Sequence, residues 1–370
     1  MKRAHVGPTI EHYMIKLKAP KDGSISKYFQ RKPKPTTEST AEIAAESSRD
    51  AKSQSEPSKS QRESSKSQEK PTEQKGAKQR EARRDIAAAT LDAIKHGSYL
   101  QHDLSAPIAA SKQGTRYYGP DSNTLSAWAT SQPSNTYPSS RVSLLEISTI
   151  EGCRFLASNT PSSSSIHPRK LALLNFASAK KPGGGFLSGA QAQEESIARS
   201  STLYPTLMTA TGQKFYTLHN KDPQDGVYSH AMIYSPGVLL IRDDGGSWLD
   251  FPVEVDVLTS PAVNAGVVMH SKKRTDGQRE REREVESVMR ERMARILYLY
   301  EIQAVQDLVL GSFGTGVFQN DVGMVARIWA ELLLEAGARF EKSFDNVVFA
   351  VLGSQTFGTF QEVFGRYGVS

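Results

Sequence analysis

A chain of 370 residues with formal charge +6 and one cysteine is long enough for a sizeable core and poor in disulfide or zinc chemistry. Cys153 alone makes neither an internal disulfide nor a cysteine-rich zinc site, so a reducing compartment and a small buried thiol are expected. No run of about eighteen apolar residues and no secretory signal stands out, so a soluble intracellular protein is expected, and its basic balance suits a polyanionic partner without naming one.

Composition divides the chain into a polar arm, residues 1-80, and one globular unit, residues 81-370. From 35 to 79 the residues are mainly Ser, Glu, Lys, Gln and Thr, with Ile43 the only large aliphatic one, so the arm cannot bury enough apolar surface to offset the entropy of ordering. Disorder is expected there. Two islands precede it, Ile10-Glu11-His12-Tyr13-Met14 and Ile25-Ser26-Lys27-Tyr28-Phe29, each an aliphatic residue, two spacers, an aromatic and a large apolar residue. The second, with the basic tail 30–34, resembles the peptide that docks on replication sliding clamps. That resemblance implies one apolar plug of Ile25, Tyr28 and Phe29 on a helical turn, although Asp22 stands where such peptides usually carry Gln. Basic clusters at 31–34 and 78–84 read as nuclear import signals or as solubilising charge, and a nuclear location is expected.

The globular unit opens with an amphipathic pattern over 83–96 (Ile86, Thr90, Leu91, Ile94) closed by Gly97, which predicts a helix. Tyr99, Tyr117 and Tyr118 follow in an irregular stretch, at the edge of the domain or near a ligand. Residues 142–148 predict a strand, and the Ser- and Pro-rich run to His167 a surface excursion. Leu171-Ala172-Leu173-Leu174 predicts a buried strand closed by Asn175, Ala177 and Ser178. Lys180, Lys181, Pro182, Gly183, Gly184 and Gly185 then form a basic turn without bulky side chains, whose amides can approach an anion. A helix from about Ala190 places Gln193, Glu194 and Glu195 in its first turns. Adjacent carboxylates facing a phosphate-friendly loop suit a reaction in which one must be neutral, because like charges raise one pKa; this is a glycosidase-like demand. The other reading is that both simply favour a helix N-terminus.

The order Gly183-Gly184-Gly185, seven residues, Gln193-Glu194-Glu195 resembles the signature of the poly(ADP-ribose) glycohydrolases. The flanks Asn175-Phe176-Ala177-Ser178-Ala179 and Ser196-Ile197-Ala198-Arg199-Ser200 look like the microbial-type branch. The resemblance covers about residue 83 to the C-terminus and not the arm. It implies an α/β, macrodomain-like fold, a mixed sheet with helices on both faces. It implies Glu195 as general acid and then base on the ribose–ribose bond, Glu194 on the adjoining ribose hydroxyl, Gln193 and Asn175 in contact with substrate, and neither metal nor cofactor. ADP-ribose polymer and proteins carrying it would be the partners, and a monomer is expected. Ser178 stands where many macrodomain readers carry a second Asn, so transfer of contacts from the hydrolases is safer than from the readers.

Later segments predict strands over 238–242 and 253–259, joined near Asp243-Asp244-Gly245-Gly246. His219 and His230 lack the spaced partners of a metal site or triad. Asp256 opens a block seen in the microbial branch, with an architectural role open, and Asn264 beyond the strand is a candidate ligand contact. A long amphipathic helix is predicted over 275–300. A strand over 305–310 runs into Gly311-Ser312-Phe313-Gly314-Thr315-Gly316-Val317-Phe318, and Asp321 opens a helix, an arrangement that holds phosphate on backbone amides or is simply a tight connection. The resemblance makes Gly314, Thr315, Gly316 and Val317 the second phosphate loop and lays Phe318 against the ribose whose bond is cut. Phe357 or Phe360 would flank adenine or pack in the core. Two other functions share this fold: a non-catalytic ADP-ribose reader and a mono-ADP-ribosyl hydrolase.

Overall fold

A computed structural model of the protein describes residues 71–133, 137–138, 140–159, 169–221, 226–271 and 275–369. The two islands, the cluster at 31–34 and the stretch 35–70 lie outside these residues. In chain order the elements are α1 (Pro71–His96), β1 (Ser98–Tyr99), β2 (His102–Asp103), α2 (Ser105–Gly114), β3 (Arg116–Tyr118), α3 (Asn123–Ser126), β4 (Arg141–Leu145), α4 (Thr149–Asn159) and β5 (Leu171–Phe176). There follow α5 (Gln193–Ser200), α6 (Leu203–Leu207), α7 (Ala210–Lys221), β6 (Met232–Arg242), β7 (Trp248–Ser260), α8 (Ala265–His270) and α9 (Gln278–Ile302). The last are β8 (Asp307–Leu310), α10 (Val322–Leu333), β9 (Asn346–Ala350) and α11 (Ser354–Gly365).

Seven strands form one sheet in the order β3-β6-β7-β5-β8-β9-β4. From β7 to β4 every pairing is parallel, while β6 runs antiparallel to both β7 and β3. The run Leu171-Ala172-Leu173-Leu174 shows no polar alternation because both sheet faces are covered. Ala172 and Leu174 enter the main core with Met293 and Ile296 of α9, Trp329 of α10 and Phe360 and Phe364 of α11. On the other face α4 presses so closely that a Cβ on Gly152 would sit 3.1 Å from Val309 Cγ1. The mixed sheet with helices on both faces is the architecture implied by the family resemblance. Among the described residues no helix is long and apolar enough to cross a membrane.

Several expectations change. Residues 149–159 are helix, not surface excursion: Ser148 and Glu151 form a reciprocal cap, and Ile150, Cys153, Phe155 and Leu156 are buried. Helix α1 begins at Pro71, so it crosses residue 80 and continues into the compositional arm. Its exposed turns are fastened from outside, by Arg80 and Arg83 to a distant loop. Phe360 is core, whereas Phe357 is partly exposed and packs against the core. Tyr99 belongs to a satellite core with Leu104 and Ile241, and Tyr117 and Tyr118 lie on the edge strand β3. Asp256 is architectural: its carboxylate accepts from Tyr234 Oη and, at 2.9 Å, from Gly237 N, which staples the bulge between Ser235 and Val238.

Candidate active site

Parallel strands leave their C-terminal ends on one edge of the sheet, and ligand sites of open α/β sheets form there. At the ends of β4, β5, β8 and β9 lies a cavity of about 620 Å³ whose wall includes Phe176, Glu194, Glu195, Gly314 and Phe318. Its chemistry is built around the start of α5.

Gln193, the first residue of that helix, spends its amide on β5. Nε2 donates to Leu174 O (2.6 Å) and Thr149 Oγ1 (3.2 Å), and Oε1 accepts from Phe176 N (2.9 Å). It braces the helix on the strand, and the residue still lines the cavity where a substrate contact was expected. Glu194 is consequently carried inward to 3% exposure, where Oε2 accepts from Ser178 N at 2.7 Å. Its Oε1 has no partner at hydrogen-bond geometry. Burial pushes the Glu194 carboxyl up to about 8; the Glu195 charge adds to the rise, and the Ser178 amide, Asn175 and the Gly183 amide oppose it. Glu194 is therefore mostly neutral at pH 7. Asn175 lies beneath it, fully buried, donating from Nδ2 to Thr259 Oγ1 (3.2 Å) and absent from the cavity wall, so it supports the site from behind instead of touching substrate as expected.

Glu195 keeps contact with the cavity, and its Oε1 accepts from Gly185 N at 2.8 Å. The need for three glycines is steric. Gly184 has φ +60°, and a Cβ there would stand 2.9 Å from Glu194 Oε2 while colliding with Glu195 Oε1. Gly183 has φ +67° and would push a Cβ to 2.9 Å from Phe186 Cδ1. The main chain thus passes close to both carboxylates. Gly184 and Gly185 face the cavity and Gly183, buried, does not.

Three arginines fix this turn from outside. Arg80 Nε donates to Ser188 O (2.7 Å), Arg83 Nε to Gly189 O (2.8 Å), and Arg199 Nη1 to Ala190 O (2.7 Å). Ala87, Phe186 and Ala198 close a small core under it.

The late loop also lines the cavity through Gly314, Thr315, Gly316, Val317 and Phe318. Gly314 has φ +76°, and Asn320 Nδ2 holds its carbonyl (2.9 Å) together with Val263 O (2.7 Å). Val317 is 79% exposed at the rim. Asn264 is not on the wall; it caps α8, its Oδ1 accepting from Val267 N at 3.1 Å. His219 is buried, with Nε2 2.8 Å from Ser229 Oγ, and burial drives His230 down to about 3. Neither lines the cavity.

The sequence reading missed Ile147, Ser148, Asp244, Leu352 and Thr356 on the wall. Asp244 sits in the β6–β7 turn, where Ser148 Oγ donates to Oδ2 at 2.5 Å. Asp244 is exposed at the cavity wall, yet desolvation by the protein around it lifts its carboxyl to about 6 against the opposing Ser148 bond. Ser148-Thr149-Ile150-Glu151 was a legible capping signal. Among the described residues no group of three or more His, Cys, Asp or Glu is arranged to hold a metal.

The model of the family described as "Microbial-type PARG, catalytic domain" matches residues 87–243. Poly(ADP-ribose) glycohydrolase (PARG) from Thermomonospora curvata is 36% identical with a TM-score of 0.67, over 78% of this chain and 99% of that one. The same protein bound to the inhibitor ADP-HPD is 36% identical with a TM-score of 0.65, over 76% of this chain and 99% of that one. Poly(ADP-ribose) glycohydrolase from Deinococcus radiodurans in complex with ADP-ribose is 34% identical with a TM-score of 0.59, over 70% and 97%. No curated protein matches the chain. With relatives 34–36% identical and matched along nearly their whole length, and the family's model matching residues 87–243, the chain belongs to the microbial-type poly(ADP-ribose) glycohydrolases.

Proposed function

We propose that this protein hydrolyses the ribose–ribose O-glycosidic bonds of poly(ADP-ribose) and releases ADP-ribose. The observation that carries the reading is geometric: a buried Glu194 beside a cavity-facing Glu195, both touched by one glycine turn. Glu195 gives a proton to the glycosidic oxygen as the bond to the anomeric carbon breaks, and then takes a proton from the attacking water. The transition state is oxocarbenium-like, so the substrate's own pyrophosphate and the carboxylates nearby stabilise the developing positive charge. Glu194 holds the adjoining ribose hydroxyl. The bare main chain of the turn at 184–185 lets the pyrophosphate approach, the amides of Gly314 and Gly316 face it from the late loop, and Phe318 orients the ribose. The relatives bound to ADP-HPD and ADP-ribose support the same ligand class.

Purified wild type and Glu195→Gln, each incubated with poly(ADP-ribose), test this. Release of ADP-ribose by the wild type alone, with both forms binding ADP-ribose, supports it. Binding without release by either form makes the protein a reader, and release only from singly modified protein makes it a mono-ADP-ribosyl hydrolase.

Our reading of the arm is a sliding-clamp contact through Ile25, Tyr28 and Phe29, and nuclear import. Arg80 and Arg83 of the 78–84 cluster are bonded to the 188–189 turn, so import would fall to residues 31–34. The solved relatives named above are bacterial. Co-precipitation with a purified clamp and imaging of a tagged chain lacking residues 31–34 test the two ideas separately.

A further inference from the structure

Among the described residues four non-glycine residues have positive φ, and two of them flank one ring contact: Tyr228 at φ +53° and Gln319 at φ +56°. Tyr228 packs its ring 5.9 Å from that of Phe318, which lies on the cavity wall. A left-handed tyrosine costs conformational energy and persists only where its surroundings over-determine it. The restraint comes from Arg292 of α9. This guanidinium is fully buried, pairs with no carboxylate among the described residues, and donates to Val227 O (3.1 Å), Tyr228 O (2.9 Å) and Pro261 O (2.9 Å). Burial lowers Arg292 to about 9, so holding these carbonyls is itself a costly arrangement.

The remaining contacts join the same two places. Asn264 lies close enough to the Tyr228 hydroxyl to oppose the rise that burial imposes on it. Asn264 N donates to Gly226 O (2.7 Å), and Gly266 N donates to Phe318 O (3.1 Å), so the backbones carrying the two rings are tied through residues 264–266. On its far side Tyr228 meets the His219 ring at 5.8 Å.

We propose that Tyr228, kept left-handed by the buried Arg292, is a positioning residue that fixes the Phe318 ring against the substrate ribose. This rests on the hydrolase reading. Tyr228 touches no reacting atom; it acts by denying Phe318 room to retreat, and a small misplacement of a reacting ring lowers rate steeply.

The test measures kcat and KM on poly(ADP-ribose), ADP-ribose affinity and thermal melting for wild type, Tyr228→Phe, Tyr228→Ala and Tyr228→Gly. Tyr228→Phe keeps the ring and should stay within about twofold of wild-type kcat, whereas the other two should lose about tenfold or more with ADP-ribose affinity nearly unchanged. Tyr228→Gly should melt above Tyr228→Ala, because glycine accepts the left-handed backbone without strain. Greater stability with equally poor kcat is the signature of positioning; a structural residue would recover rate with stability. Wild-type kcat in Ala and Gly, or kcat that follows melting temperature, overturns the assignment alone. No release by the wild type overturns the hydrolase reading and this assignment with it.

Discussion

The two edges of the parallel sheet bury carboxylates in opposite ways. At the N-terminal edge Asp307 is 2% exposed, receives Arg169 through both oxygens (2.9 and 2.6 Å), and also accepts from Asn346 Nδ2 (2.5 Å). Asp345 shares the same Arg169 at 2.7 Å, and nearby Glu301 is held by Arg339 at 2.9 and 3.0 Å. At the C-terminal edge Glu194 is just as buried, yet among the described residues it pairs with no cation. A paired buried carboxylate is close to neutral in stability, while an unpaired one is a cost that a fold without a task for it would not retain. The chemistry sits where a carboxyl is buried without a counter-charge.

The contrast can be broken by four substitutions, in decreasing order of effect. Glu195→Gln should lower kcat by ~10² to 10⁴ while ADP-ribose binding and melting temperature barely change; an active variant would remove Glu195 from the chemistry. Arg169→Ala at the opposite edge should cost roughly 3 kcal/mol in denaturant unfolding, the low end for a broken buried pair because Arg169 is 28% exposed, and leave kcat of the folded enzyme intact. If its kcat fell as far as that of Glu195→Gln, the two edges would not be separable.

Glu194→Gln should change the pH dependence of stability. The Glu194 carboxyl stands near 4.5 in the unfolded chain and about 8 in the folded one, so between these values the folded state holds a proton that the unfolded state has lost. Wild-type stability should therefore fall as pH rises through that window, by at most ~1.4 kcal/mol per unit, and the variant should escape the fall. Parallel melting-versus-pH curves for the two proteins would contradict this. Gly184→Ala is expected to cost about 1–2 kcal/mol through its positive φ, with a larger relative loss of kcat as the carboxylates are displaced. Unchanged kcat would mean that the turn merely connects.

Much of the site was legible because it is local. Gly183 to Glu195 is one turn and one helix start, and the glycine triplet encodes both left-handed backbone and empty space. The strand before it read correctly, since an uninterrupted apolar run means cover on both faces. The rest depends on distant partners. Gln193 reads as a ligand group until Leu174 and Phe176 are found on its amide, and Asn175 until it is seen beneath Glu194. Asp244 looked like a turn former, because a hairpin tip does not announce which cavity it will reach. The first turns of α1 carry no apolar stripe; they are held by bonds to residues more than a hundred positions away.

That last fastening bears on where the catalytic unit begins. The family match starts at residue 87, after Arg80 and Arg83. A chain cut there would leave the carbonyls of Ser188 and Gly189 to water and the Gln191 side chain without its Arg83 contact. Similarity marks where relatives agree; the bonds mark a longer piece, one that includes the turns of α1 from Arg80 onward.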